Sequence, residues 1–151
     1  MANIVPDSFK AELLAGSHNF EYGVSTQTFK LALYVTTLGP PYTTSSTVYS
    51  TSNEVSSSGT NYSAGGNALT LDTLSGSVPG SNTAIVDFVN LTFSNVTLTA
   101  LGAAIYNSST TPANMLCLVL DFGVNKTATS GDFTIQFPSP TAADAIIRLG
   151  D

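Results

Sequence analysis

An all-β chain, folded as an antiparallel β-sandwich or jelly-roll-like domain with one short N-terminal helix and a long extended loop or arm, is the class the sequence predicts. Three observations lead there. After residue 16 the apolar residues recur with a period of two, as on a strand with one buried face. Clusters of Gly, Pro, Ser and Asn cut this pattern into six or seven short segments. A length of 151 residues suits a single domain, 1–151, which buries roughly 68–70% of its unfolded surface without staples. An up-and-down barrel is the alternative closure of the same strands.

The helix comes first. In "PDSFKAELLAGS", Pro6 and Asp7 sit where a helix start wants them and Phe9 and Leu13 lie four apart on one face. Gly16 is placed for a left-handed C-terminal cap. The pattern then changes. In "TFKLALYVTT", Phe29, Leu31, Leu33 and Val35 face one way and Lys30, Ala32 and Tyr34 the other, which predicts a strand with one buried face.

Residues 36–66 thin out into "LGPP", a Ser/Thr run, "YSTSNEV" and "SNEVSSSGTNYSAGG", with Val48, Tyr49, Val55 and Tyr62 as apolar anchors. So long a connection is uncommon in a compact domain and tends to be functional. Gly59, Gly65 and Gly66 permit tight turns or close approach to another backbone. The tract therefore reads as an extended Gly/Ser/Thr-rich loop or arm, with Asn53, Glu54, Tyr62, Gly65 and Gly66 as candidate interface residues. Deleting residues 56–60 should barely change stability.

Strands return at residue 68. "ALTLDTL" is one, "TAIVDFVNLTF" the next with Val89, Leu91 and Phe93 on one face, and "VTLTALGAAIYN" the third, where Gly102 suggests a bulge. "MLCLVLDFG" is nearly all apolar and predicts a central strand covered on both faces. "FTIQFP" turns Phe133, Ile135 and Phe137 inward, and "AIIRLG" closes the chain.

Composition then removes whole classes of function. Only 9% of residues are charged against a norm of about 25%, while 40 are Ser or Thr, so the surface is hydroxyl and amide. Such a surface has little charge repulsion to hold copies apart, and 42% hydrophobic residues favour association or docking. Four basic residues against ten acidic ones, a net charge of −6, exclude nucleic acid as a partner. The longest apolar stretch, residues 115–120, is far too short to span a bilayer, so no membrane partner is expected. "MANIVPDSFK" has no basic stretch followed by an apolar one, so a soluble product made in the cytoplasm is expected. Five sequons, at Asn61, Asn90, Asn95, Asn107 and Asn125, are the chance yield of a chain this rich in Asn, Ser and Thr.

Chemistry has few residues to work with. One His and one Cys leave no metal cluster of either, and GxSxG, HExxH and Walker patterns are absent from the sequence. Cys117 in "MLCLVL" predicts a buried core thiol, and His18 after the helix cap a capping or packing ring. Asp87, Asp121, Asp132 and Asp144 could supply a carboxylate pair or calcium ligands, yet Asp87 in a strand and Asp121 before Gly123 read as binders of neighbouring backbone amides. No enzyme, cofactor or metal is expected. Tyr22, Tyr34, Tyr42, Tyr49, Tyr62 and Tyr106 could stack on a sugar, which keeps a carbohydrate-binding module open, although Trp, a preferred platform, is missing.

In chain order, "FKAELLAGSHNF", "FKLALY", "YSTSNEV", "YSAGG", "VDFVNLTFSNVTLTALGAAIYN", "LVLDFG" and "FTIQFP…AIIRL" resemble a family of small virion structural proteins of tailed bacteriophages and prophages, over residues 9–149. Two departures stand out: Phe93 where relatives often carry Trp, and "SSSGTN", which lengthens the loop between Glu54 and Tyr62. The resemblance implies a head decoration, or cement, protein on the capsid surface. Its partners would be the major capsid protein and further copies of itself in a homotrimer seated at three-fold positions. A tail or fibre-base adaptor is the alternative within the same resemblance.

Overall fold

The computed structural model describes residues 3–35, 42–80 and 82–150. The described residues form one helix, α1 (Asp7–Leu14), and six strands: β1 (Phe29–Tyr34), β2 (Asn67–Ala68), β3 (Ala84–Val86), β4 (Leu91–Asn107), β5 (Met115–Ile135) and β6 (Ile147–Leu149). The chain is thus mostly β, in antiparallel sheets, with one short helix. It divides into two compact units. Unit 1 comprises Met1–His18, Gln27–Ala68 and Phe93–Phe133; unit 2 comprises Asn19–Thr26, Leu69–Thr92 and Thr134–Asp151. No helix among the described residues is long and apolar enough to cross a membrane.

In unit 1, α1 begins after Pro6 and buries Phe9. It ends as its sequence predicts. Gly16 takes φ +72°, the Ser17 N–H donates to Glu12 O (2.9 Å) and the Gly16 N–H to Leu13 O (3.2 Å), the paired bonds of a Schellman cap.

A four-stranded sheet follows, in the order β2-β1-β4-β5. β1 pairs with β4 without interruption from Phe29↔Asn107 to Tyr34↔Gly102, and with β2 through Lys30↔Ala68 and Leu31↔Asn67. As an inner strand it is covered on both sides: Leu31, Ala32, Leu33 and Tyr34 are all buried. This corrects the expectation of one buried face, because Ala32 and Tyr34 lie in a core with Tyr42, Ala104, Tyr106, Leu116 and Val119. Val35, expected inside, is exposed just past the strand end. Burying Leu31 and Leu33 contributes about 1.5–3 kcal/mol each.

β5 is buried on both faces from Leu116 to Val119, as its apolar run requires, but it is the outermost strand of the sheet and not a central one. Short segments from elsewhere cover the edge it leaves. Ile4 and Val119 exchange both backbone hydrogen bonds (2.8 and 2.9 Å), and the Leu116 N–H donates to Thr47 O (2.9 Å). An apolar strand can sit at an edge when that edge is capped in this way.

The sequence breaks at "SN" and "SG" do not end strands. β4 runs through Ser94 and Asn95, and β5 through Ser130 and Gly131, so segments expected as separate strands are continuous. Asn95 and Ser130 take positive φ (+54° and +46°). The Asn95 N–H donates to Asp132 Oδ1 (3.1 Å) and the Ser130 N–H to Thr97 Oγ1 (2.9 Å). Side chains thus take over where the ladder is irregular, as at bulges. Gly102, the expected bulge, keeps regular register with Tyr34. Of "ALTLDTL", only Ala68 in β2 and a single bridge, Leu71↔Phe88, have strand pairing.

Unit 2 is built on a two-stranded antiparallel sheet, β3 with β6, from Ala84↔Leu149 to Val86↔Ile147. Ser77 bridges to Ile85, and Phe88 packs against Phe20 (6.5 Å) and Phe137 (5.4 Å between ring centroids).

Candidate functional site

The tract expected to be an arm places its described residues, 42–66, back on the sheet of unit 1. Residues 36–41 lie outside the described residues. Glu54 explains the fold-back. Its Oε1 accepts hydrogen bonds from the Tyr62 hydroxyl (2.7 Å) and the Gly65 N–H (2.6 Å), and its Oε2 from the Tyr49 hydroxyl (2.5 Å). Tyr62 in turn accepts the Leu33 N–H (3.0 Å), and the Val55 N–H donates to Leu33 O (2.9 Å). One half-buried carboxylate therefore ties three separate points of the tract to each other, and Tyr62 ties them to β1.

The remaining candidate interface residues belong to the same clasp. Gly66 takes φ +70°, and a Cβ there would stand 1.7 Å from Leu31 O, so only glycine allows this approach. Gly65 is buried and its carbonyl accepts from the Tyr106 hydroxyl (2.7 Å). Asn53 is exposed with φ +60°, and its carbonyl accepts the Val35 N–H (3.0 Å). Glu54, Tyr62, Gly65 and Gly66 are thus brought together, but their polar groups are engaged within this chain.

Around them stands a group of phenols that composition alone offers as sugar platforms. Tyr34, Tyr42, Tyr62 and Tyr106 are each at most 3% exposed, which leaves no ring face for a sugar. The Tyr34 and Tyr42 hydroxyls lie 2.7 Å apart, and Tyr34 donates to Ser50 O (2.6 Å). Half-buried Tyr49 stacks on Tyr106, 4.5 Å between centroids. Burial pushes the phenols of Tyr34, Tyr42, Tyr49 and Tyr62 up, and that of Tyr106 up to about 12, with the Glu54 charge adding at Tyr106. Such phenols stay protonated and act as donors to fixed acceptors. The arrangement holds a loop in place; it does not activate a nucleophile.

Beside the clasp lies an open groove of about 380 Å³, lined among others by Val35, Val55, Thr97, Thr99, Thr127 and Thr129. The Thr99 and Thr127 hydroxyls bond each other across β4 and β5 (2.8 Å), and Thr97 Oγ1 is taken by the Ser130 N–H. Methyl groups are therefore much of what the groove can offer a partner. The tract itself borders the groove: the Thr97 N–H donates to Thr60 O (3.0 Å) and the Asn61 side chain to Asn95 O (3.2 Å). Residues 60–61 thus continue the hydrogen bonding of β4 beyond the end of β1. Sequence reasoning missed this surface, although "TLT" and "TAT" on facing strands are its signal.

The isolated polar candidates resolve into local roles. His18 is buried between Phe9 and Phe29 (centroids at 5.2 and 6.4 Å), with Nε2 2.9 Å from Glu12 Oε2 and Nδ1 3.1 Å from Asn107 Nδ2. Because an amide Nδ2 can only donate, Nδ1 accepts and Nε2 carries the proton that Glu12 receives. Cys117 is fully buried 4.0 Å from that ring, and burial pushes its thiol up, away from thiolate chemistry. Each aspartate binds a local donor: Asp121 the Gly123 N–H (2.8 Å), Asp132 the Asn95 N–H, Asp144 the Thr141 hydroxyl (3.0 Å) and Asp87 the Phe88 N–H (2.8 Å). Among the described residues no group of three or more His, Cys, Asp or Glu could hold a metal ion. Comparison with models of protein families, with curated proteins and with solved structures gives no match to this chain.

Proposed function

We propose that this chain is a non-enzymatic bacteriophage virion structural protein, a head decoration or cement protein that binds the outside of the capsid as a homotrimer. It would be made in the host cytoplasm, with the major capsid protein and its own copies as partners. The reading starts from the resemblance of residues 9–149 to small virion proteins. The observation that carries it further is the surface of unit 1: an open groove of threonine and valine side chains, on a sheet whose loop is pinned by Glu54. A preformed, uncharged surface associates without desolvating ions and with little ordering cost.

Because the described part of the tract serves its own sheet, we assign the contact with neighbours to the groove and the adjoining face of β4 and β5. A three-fold ring repeats one heterologous interface until it closes, which matches a seat on a three-fold axis of the shell. The finer fold in this reading is a β-sandwich of the jelly-roll kind, supported by the antiparallel sheets and by the burial of β1 on both faces. Light scattering of the purified protein tests the assembly, and electron microscopy of particles labelled on this chain tests its place. A trimer with label over the whole head supports the proposal. Label confined to the tail would replace it with the tail-adaptor reading.

A further inference from the structure

We propose that Asp87 is a proton-operated latch of unit 2: with its carboxyl group protonated the unit is held closed, and ionisation of that group loosens it. The backbone around Asp87 is pinned on both sides. Its N–H donates to Ser75 Oγ (2.8 Å), Ser75 Oγ donates back to Asp87 O (2.5 Å), and the Asp72 N–H donates to the same carbonyl (2.9 Å). These bonds tie the residue after β3 to the turn around residues 72–75. The residue they fix is 0% exposed.

Its carboxyl group is incompletely served. Oδ1 takes the Phe88 N–H, whereas Oδ2 is buried with no hydrogen-bond partner among the described residues. A neutral hydroxyl left this way costs far less than a buried charge. The charged neighbour that acts on the group is Asp72, whose carboxylate opposes a second negative charge. Asp144 and Arg148 flank Ile146 but are bonded elsewhere, to the Thr141 hydroxyl and to Ala143 O. Burial, then Asp72, raise the Asp87 carboxyl above the usual range, against the Phe88 N–H that Oδ1 accepts and the pull of the nearby Ile146 N–H, which makes no hydrogen bond to Oδ2.

The sign follows from linkage. A carboxyl raised in the folded state stabilises fully below the unfolded value of about 3.9 and loses that contribution as pH rises through the folded value. Unit 2 should therefore tighten in acid relative to unit 1. Hydrogen exchange of the intact chain reads this directly, comparing protection of the Asp72, Gly76 and Val89 amides in unit 2 with Leu33 and Val55 in unit 1. Between about pH 4 and pH 8 the unit 2 amides should lose protection relative to unit 1, as a carboxyl whose acidity folding weakens requires. Asp87→Asn should abolish the difference. Parallel behaviour of the two units, or an unchanged loss in Asp87→Asn, would overturn the latch. Should that variant fail to fold, carbon-13 titration of the Asp87 carboxyl in the unmodified chain decides. A midpoint above the ordinary aspartate value supports the latch, and one at or below it removes the idea.

Discussion

Replacing Glu54 by Ala removes the acceptor of three donors at once: the hydroxyls of Tyr49 and Tyr62 and the N–H of Gly65. Hydrogen bonds to a charged acceptor are worth about 1.5–3 kcal/mol each, so a simple sum gives roughly 4–9 kcal/mol. Water will recover part of this, because Glu54 and Tyr49 are only half-buried; Tyr62, at 3% exposure, recovers least. A net loss of about 3–4 kcal/mol is the expected outcome. Urea unfolding followed by tyrosine fluorescence suits the measurement, because the chain has no Trp and five of its six tyrosines form or adjoin the clasp. Glu54→Gln keeps one oxygen for Tyr62 and Gly65 and should lose less than half as much. A loss below about 1 kcal/mol for the Ala variant, or equal losses for the two, would refute the clasp.

Gly66→Ala should cost more than about 4 kcal/mol or prevent folding, because its Cβ would meet Leu31 O; a normal melting temperature would disprove that close approach. Leu118→Ala should cost about 2–5 kcal/mol, whereas Leu14→Ala, at a side chain 93% exposed, should leave the melt unchanged. Removing residues 56–60 deletes the Thr60 carbonyl that accepts the Thr97 N–H, so a loss of about 1–2 kcal/mol replaces the negligible effect expected from sequence. Alkaline pH should unfold unit 1: phenols raised in the folded state stabilise fully below the unfolded value of about 10, and Tyr106 loses its contribution as pH rises toward about 12. Near-ultraviolet absorbance should then show these phenols ionising together with loss of structure, and ionisation without unfolding would contradict their burial.

Local patterns were the legible part of the fold. The α1 cap could be read because Gly16 and the Phe9–Leu13 spacing are short-range signals. The apolar runs that became β1 and β5 were legible too, since burial follows side-chain type. Sheet position was not: β5 reads as central because sequence shows that a strand is covered but not by what, and Ile4 and Thr47 are distant in the chain. Breaks misled for a related reason. Asn95 and Ser130 are turn formers in isolation, yet Asp132 and Thr97 satisfy them inside long strands. At the candidate site, composition singled out Asn53, Glu54, Tyr62, Gly65 and Gly66 as parts of an arm reaching a neighbour, and gave no sign that Glu54, Tyr62 and Gly65 bond one another. Their convergence depends on Leu31, Leu33 and Tyr106, which no spacing connects to them.

Co-sedimentation of the purified chain with phage heads that lack their decoration protein, with bound copies counted per head and heat resistance measured afterwards, tests the central claim most directly. The proposal predicts saturable binding in multiples of three per seat, heads that survive higher temperature, and loss of both when Thr97 and Thr127 in the groove are replaced by Lys. A chain that remains monomeric, binds no head and leaves heat resistance unchanged would contradict it.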